Sequence, residues 1–226
     1  MSLNREQLTA FVGAAVRFGE ISTRSPYVSS YSTGLSGLTY GVFQHDTSKN
    51  DGAQSTLALI LSAEVERGAL TREKADALYT ATINSTASNK LSAADRELID
   101  QALLSQQPIV DSADQGQLNV VMDYVDSAFD AASRNPNGAG DLDRADPNLA
   151  LIAEMAMWAN RSNGLDASNK FVEKMEVVSK DAWSSNYLAK QAQFGVKGES
   201  FTKWTTKVEN GIIRGHIAVL TAQLTL

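Results

Sequence analysis

The sequence predicts a mainly α chain, α+β in class, with one small β-hairpin directly after the first helix. Two observations carry this. Apolar residues recur at helical spacing through most segments from residue 52 onward, and a stretch rich in Ser, Thr, Gly and Tyr over residues 21–50 breaks that pattern. Only four prolines and no long biased tract argue against a linker-rich or disordered chain. The 226 residues suffice for one buried core. The expected organisation is a single domain over 1–226, with helix and hairpin in 1–50 and a helical body in 51–226.

The first helix is announced by Asn4 as cap, Gln7 placed to return the hydrogen bond, and Leu3 with Leu8 as a hydrophobic staple. Leu8, Phe11, Val12 and Ala15 then share one face. Gly19 weakens the helix near its end, which places Glu20 in or just beyond the last turn. A carboxylate there meets the negative end of the helix dipole, where its charge is not helped. A carboxyl that must hold a proton near neutral pH would want that position.

Residues 21–50 differ in kind. Gly34, Gly37 and Gly41 supply turns or close backbone approach, and Leu38-Thr-Tyr-Gly-Val-Phe supplies a short strand. Beyond them the spacing predicts a helix over 52–67 ending at Gly68, a second capped by Thr71, and a third opened by Ser92 with Asp95. A longer helix follows Ser112. The loop Asn135–Asn148 precedes a helix carrying Leu151, Ile152, Met155 and Ala159, with further helices over 168–194 and 199–223. That loop holds Asn135, Asn137, Asp141, Asp143 and Asp146 but lacks the ligand order of a calcium loop, so it reads as a solvated connection.

Composition excludes several function classes. Without cysteine there are no disulfides, thiolate nucleophiles or Cys-ligated metals, and two histidines leave no His-rich metal site. No metal or other cofactor is expected. A net charge of -6 opposes broad attraction to nucleic acid or anionic lipid. No apolar run approaches the roughly 18–20 residues of a membrane span. The start of the chain lacks a signal peptide's order of regions, so the expectation is synthesis in the cytoplasm. No Gly-x-Ser-x-Gly accompanies His45 and His216, so a Ser-His-Asp hydrolase has no support.

Cleaving a glycosidic bond needs one carboxyl that stays protonated and a second that stabilises or intercepts the growing positive charge. Burial in apolar surroundings raises a carboxyl pKa by disfavouring its charged form. Hydroxyls, amides and aromatic rings must line the cleft. Glu20, the Ser/Thr/Tyr hairpin, and Gln44 with Asp46 meet that list in order along the chain. Asp51 fits two readings, helix cap or second carboxylate. His45 reads either as a pH-sensitive neighbour or as a hydrogen-bonded partner of an acid. Tyr27, Tyr31 and Tyr40 are equally suited to stacking on sugars or to packing on their own domain. Trp158, Trp183 and Trp204 lie on helices, where core or rim is the commoner place.

The order apolar helix, Glu, glycine-rich hairpin, Gly-x-x-Gln and acid resembles the lysozyme-like superfamily of peptidoglycan glycosidases, nearest to goose-type lysozymes and soluble lytic transglycosylases. Ser32-Thr33-Gly34-Leu35-Ser36-Gly37-Leu38 is similar to the first part of the family's glycine segment, and Tyr40-Gly41-Val42-Phe43-Gln44-His45-Asp46 to its Gly-Leu-Met-Gln-x-Asp part. Trp158-Ala159-Asn160-Arg161-Ser162-Asn163-Gly164 loosely resembles a later Ala-Tyr-Asn-Ala-Gly element. Two departures stand out. Extra residues separate Gly37-Leu38 from Gly41-Val42, where the family's glycine motifs overlap, and Ile21 interrupts the family's Glu-Ser pair.

The resemblance implies a lysozyme-like helical domain that cleaves the glycan strands of bacterial peptidoglycan as a muramidase. Glu20 would be the general acid and Asp46 the water-positioning carboxylate, with Asp51 as the alternative. Ser22, Tyr31, Ser36, Tyr40, Gln44, His45, Trp158 and Asn160 would contact substrate. It further implies a monomer acting in the periplasm or at the cell wall as a phage endolysin or antibacterial effector, with a proteinaceous inhibitor or immunity protein as partner. Lytic transglycosylase or chitosanase-like chemistry and a non-catalytic helical binding module are the alternative readings.

Overall fold

A computed structural model of the chain describes residues 4–31 and 36–133, together with the helical positions 156, 160, 210, 213–215, 218 and 219. The elements are α1 (Arg5–Ile21), β1 (Ser30–Tyr31), β2 (Leu38–Tyr40), β3 (His45–Asp46), α2 (Asp51–Glu66), α3 (Arg72–Ile83), α4 (Ala93–Ser105) and α5 (Gln107–Ser133). The fold is mainly helical with a small antiparallel sheet after the first helix, as the sequence predicts. The hairpin gains a third strand, in the order β1-β2-β3. Thr39 pairs with Ser30 on one side and Asp46 on the other, and Tyr40 pairs with His45.

Cα packing divides the chain into two compact units, residues 1–22 with 118–226, and residues 23–117. The division falls after Ser22 and before Leu118, so α1 and the sheet belong to different units.

In the first unit, α1 carries both halves of the expected capping box: Asn4 accepts from the Gln7 N–H, and the Gln7 side chain accepts from the Asn4 N–H. Leu3 of the expected staple, the acidic loop 135–148, Trp158, Trp183 and Trp204 lie outside the described residues. Phe11, Val12, Ala15 and Val16 are fully buried on α1, as are Val121, Met122 and Val125 on α5 to within 2%. Arg5 forms an ion pair with Asp126.

The second unit is built around the sheet. Leu38 and Tyr40 from β2 enter a core with Leu57, Ile60 and Leu61 of α2, Leu78 of α3 and Ile99 and Leu103 of α4. β2 is short, yet buried at all three residues. Burying those side chains is worth roughly 1.5–3 kcal/mol each before chain entropy is subtracted. Thr71 and Ser92 cap α3 and α4 through the N–H groups of Lys74 and Asp95. The helix expected after Ser112 begins at Gln107 instead. Pro108 sits in its first turn, where a missing N–H costs no intrahelical bond.

Candidate functional site

Glu20 occupies the last turn of α1, half-buried, and no basic residue shares that turn. Ser22 closes the helix with φ 55°, its N–H donating to the Phe18 carbonyl at 3.1 Å, and its side chain is exposed. Glu20, Ser22 and Asn160 lie in the first unit, and Asn160 is helical and 8% exposed. The other described candidates, Tyr31, Ser36, Tyr40, Gln44, His45, Asp46 and Asp51, lie in the second.

Within that second unit the structure gathers Gln44, His45 and Asp46 at the end of one tightly bonded turn and on the strand β3 that leaves it. Gly41 opens it at φ 74°, a left-handed conformation that favours glycine. A Cβ there would stand 2.6 Å from an Asp114 carboxylate oxygen and 2.8 Å from the His45 ring, so any side chain collides. Asp114 reaches in from α5. Its Oδ2 accepts the Val42 N–H at 2.9 Å, and its Oδ1 accepts the Phe43 N–H at 3.3 Å and lies 3.0 Å from His45 Nε2. One buried carboxylate thus satisfies two backbone donors and an imidazole, which fixes the loop between β2 and β3.

Gln44 has φ 56° without being glycine. The left-handed region costs a non-glycine residue roughly 1–2 kcal/mol, so the turn must hold it there. Its carboxamide oxygen faces the Thr39 hydroxyl at 3.0 Å, the Ser30 hydroxyl at 3.3 Å and the Arg24 guanidinium at 3.5 Å. A strained backbone carrying an oriented amide is a feature that functional sites accumulate.

Asp46 follows on β3. Three donors converge on its Oδ1: the Gly37 N–H at 3.1 Å, the Ser48 N–H at 2.9 Å and the Ser48 hydroxyl at 2.8 Å. The Asp46 carboxylate therefore pins the β2–β3 region as well as being the candidate water-positioning group. Gly37 must be glycine here, because a Cβ would meet Ser48 Cβ at 2.5 Å.

The remaining candidates fall into other roles. Tyr40 is 1% exposed, its hydroxyl donates to the Ala53 carbonyl at 2.8 Å, and burial holds its pKa well above the ordinary tyrosine range. A ring so enclosed packs the core and cannot stack on a sugar, which corrects its expected place in substrate binding. Asp51 is not the cap of α2. Asn50 takes that role, accepting the Ala53 N–H at 3.0 Å, and Asp51 is an exposed first-turn residue that the helix dipole favours. Ser36 is half-buried, and its carbonyl accepts the Ala87 N–H at 3.1 Å. Tyr31 lies apart from the turn, its hydroxyl accepting the Leu91 N–H at 2.9 Å.

Sequence reasoning does not reach Asp114. It sits in an ordinary helical pattern 69 residues from His45, and nothing local marks it as the anchor of a distant turn. Among the described residues no group of three or more His, Cys, Asp and Glu could hold a metal ion, and no helix is long and apolar enough to cross a membrane. No family model, curated protein or solved structure matches this chain.

Proposed function

We propose that the chain is a glycosidase that cleaves the glycan strands of bacterial peptidoglycan. Glu20 protonates the leaving glycosidic oxygen, and Asp46 orients the attacking water, with Asp51 as the alternative carboxylate. The observation that carries the reading is Gln44, held at φ 56° beside Asp46 on a turn locked by Asp114. A local cost of about 1–2 kcal/mol persists where a side chain must be aimed. Further support is the order of elements, an apolar helix whose last turn carries Glu20 followed by a small sheet whose β2–β3 turn carries Gln44 and whose β3 carries Asp46.

The chemistry assigned to each group is specific. Glu20, half-buried in the last turn of α1, serves as the proton donor on this reading. Three donors on Asp46 Oδ1 fix the orientation of that carboxylate, which suits a water-holding role. If the sugar's own hydroxyl replaces water, Glu20 acts as acid and then base, and the product is an anhydro-sugar. On this reading the enzyme works as a monomer in the periplasm or at the cell wall, and a proteinaceous inhibitor is a fitting partner.

One observation favours the alternative of a non-catalytic binding module: the Asp46 carboxylate already has a structural task in closing the sheet. Digestion of purified sacculi with mass analysis of the released fragments decides among these readings. Reducing-end muropeptides support a hydrolase and anhydro-muropeptides a transglycosylase. No release from sacculi, with none from chitosan, supports the module.

A further inference from the structure

A groove of about 530 Å³ opens on the second unit, between the chain around Tyr27–Tyr31 and one face of α4. Its volume falls within the range of small-molecule sites, roughly 300–1,000 Å³. It shares no residue with the turn that carries Gln44 and Asp46.

The floor of the groove is rigid. The Tyr27 hydroxyl donates to Asp111 at 2.8 Å and the Tyr31 hydroxyl accepts from the Leu91 N–H, so both rings are fixed in orientation. Asp100 accepts the Ser29 N–H at 2.8 Å, and Arg96 donates to the Ser29 carbonyl, which ties α4 to the loop before β1. Those two charges are spent on buried backbone. The rim is chemically mixed. Val28 and Leu104, 48% and 56% exposed, are two of the five large exposed hydrophobics among the described residues, and both line this groove. Beside them stand Glu97 and Gln101, the amide donating to the carboxylate at 3.4 Å, and Lys90, whose ammonium lies 5.7 Å from the Tyr31 ring centre. Lys90 and Arg96 balance Glu97 and Asp100, so the lining carries no net charge.

The geometry points to a binding site for a neutral, N-acetylated oligosaccharide, separate from the catalytic turn. Fixed aromatic rings match the apolar C–H face of a pyranose, and the exposed Val28 and Leu104 match acetyl methyls. Glu97, Gln101 and Lys90 offer acceptors and donors for hydroxyl and amide groups. A strongly anionic or cationic ligand finds no net charge to complement. Preorganised rings and a tied floor lower the ordering cost of binding. The choice of a glycan as the ligand rests on the glycosidase reading, whereas the groove's own construction does not.

The test is a calorimetric titration of the full chain carrying Glu20→Gln, which prevents turnover, with a chitooligosaccharide in N-acetylated and fully de-N-acetylated forms. Leu104→Glu and Gln101→Ala change exposed positions, and thermal melts confirm that each variant folds. The proposal expects binding of the acetylated oligomer, weaker binding of the cationic one, and a loss of about tenfold or more in Leu104→Glu, equivalent to about 1.4 kcal/mol. Affinity unchanged in both groove variants, or no binding of the acetylated oligomer, overturns it. Binding of a wall-derived peptide in place of the glycan overturns it as well. Failure of the catalytic reading looks different: a wild-type chain that cleaves no glycan, yet whose oligosaccharide affinity drops in Leu104→Glu, keeps the groove and loses the enzyme.

Discussion

His45 Nε2 stands 3.0 Å from Asp114 Oδ1, with both side chains 10% exposed, and this contact joins β3 to a helix far along the chain. The same carboxylate holds two N–H groups of the turn. Removing it leaves buried donors unpaired, each costing about 1–3 kcal/mol. Asp114→Ala should therefore lose about 2–4 kcal/mol in urea unfolding. Asp114→Asn keeps one acceptor oxygen and should lose clearly less.

Gly41→Ala is expected to cost about 1–3 kcal/mol, because the backbone is left-handed and the new methyl meets Asp114. Asp114→Ala removes that obstacle. The double variant should then lose less than the sum of the two single losses, read as a coupling energy in a double-mutant cycle. Strict additivity would mean that the two residues do not share one packed site.

Gln44→Gly separates strain from function. Glycine removes the backbone cost at φ 56° while giving up the amide's contacts with Thr39 and Ser30. Stability close to wild type by thermal melting, together with a large drop in cell-wall cleavage, is the expected pair of results. Unchanged activity would show that the Gln44 side chain has no part in the reaction.

Glu64 sets an acid limit on stability. It is 3% exposed, and burial alone would raise its pKa, but hydrogen bonds from Arg67, Ser105 and Gln106 outweigh burial and hold it below the ordinary value of 4.5. A depressed folded-state pKa contributes stability above the unfolded value, and that stability is lost as pH falls through the folded one. The urea midpoint of wild type should accordingly fall more steeply below pH 4.5 than that of Glu64→Gln. Parallel curves would show that the folded state does not favour the ionised carboxylate.

Local chemistry explains what the sequence made legible. The capping residues Asn4, Thr71 and Ser92 start helices where expected, because a cap bonds to a donor two or three residues away. Gly68, at φ 75°, stops α2 for an equally local reason. The early start of α5 at Gln107 was less visible, since Pro108 reads as a break until it is placed in a first turn. Asn50 and Asp51 are adjacent good caps, and only the chain's entry angle chooses between them. The anchoring of the β2–β3 turn by Asp114 and the burial of Tyr40 under α2 are long-range, and no periodicity records them. The candidate site is legible in the sequence only as residue types in order along the chain. Which of those residues hold the sheet together is a tertiary matter.

The central claim concerns the proton on Glu20, and one measurement addresses it most directly: the rate of clearing of purified peptidoglycan by wild type and by Glu20→Gln, with matched thermal melts. The substitution removes the ionisable proton at nearly constant shape. Wild type should clear the suspension and the variant should be slower by about 10²–10⁴-fold, the usual worth of a positioned general acid. A folded Glu20→Gln protein that clears peptidoglycan as fast as wild type would contradict the account.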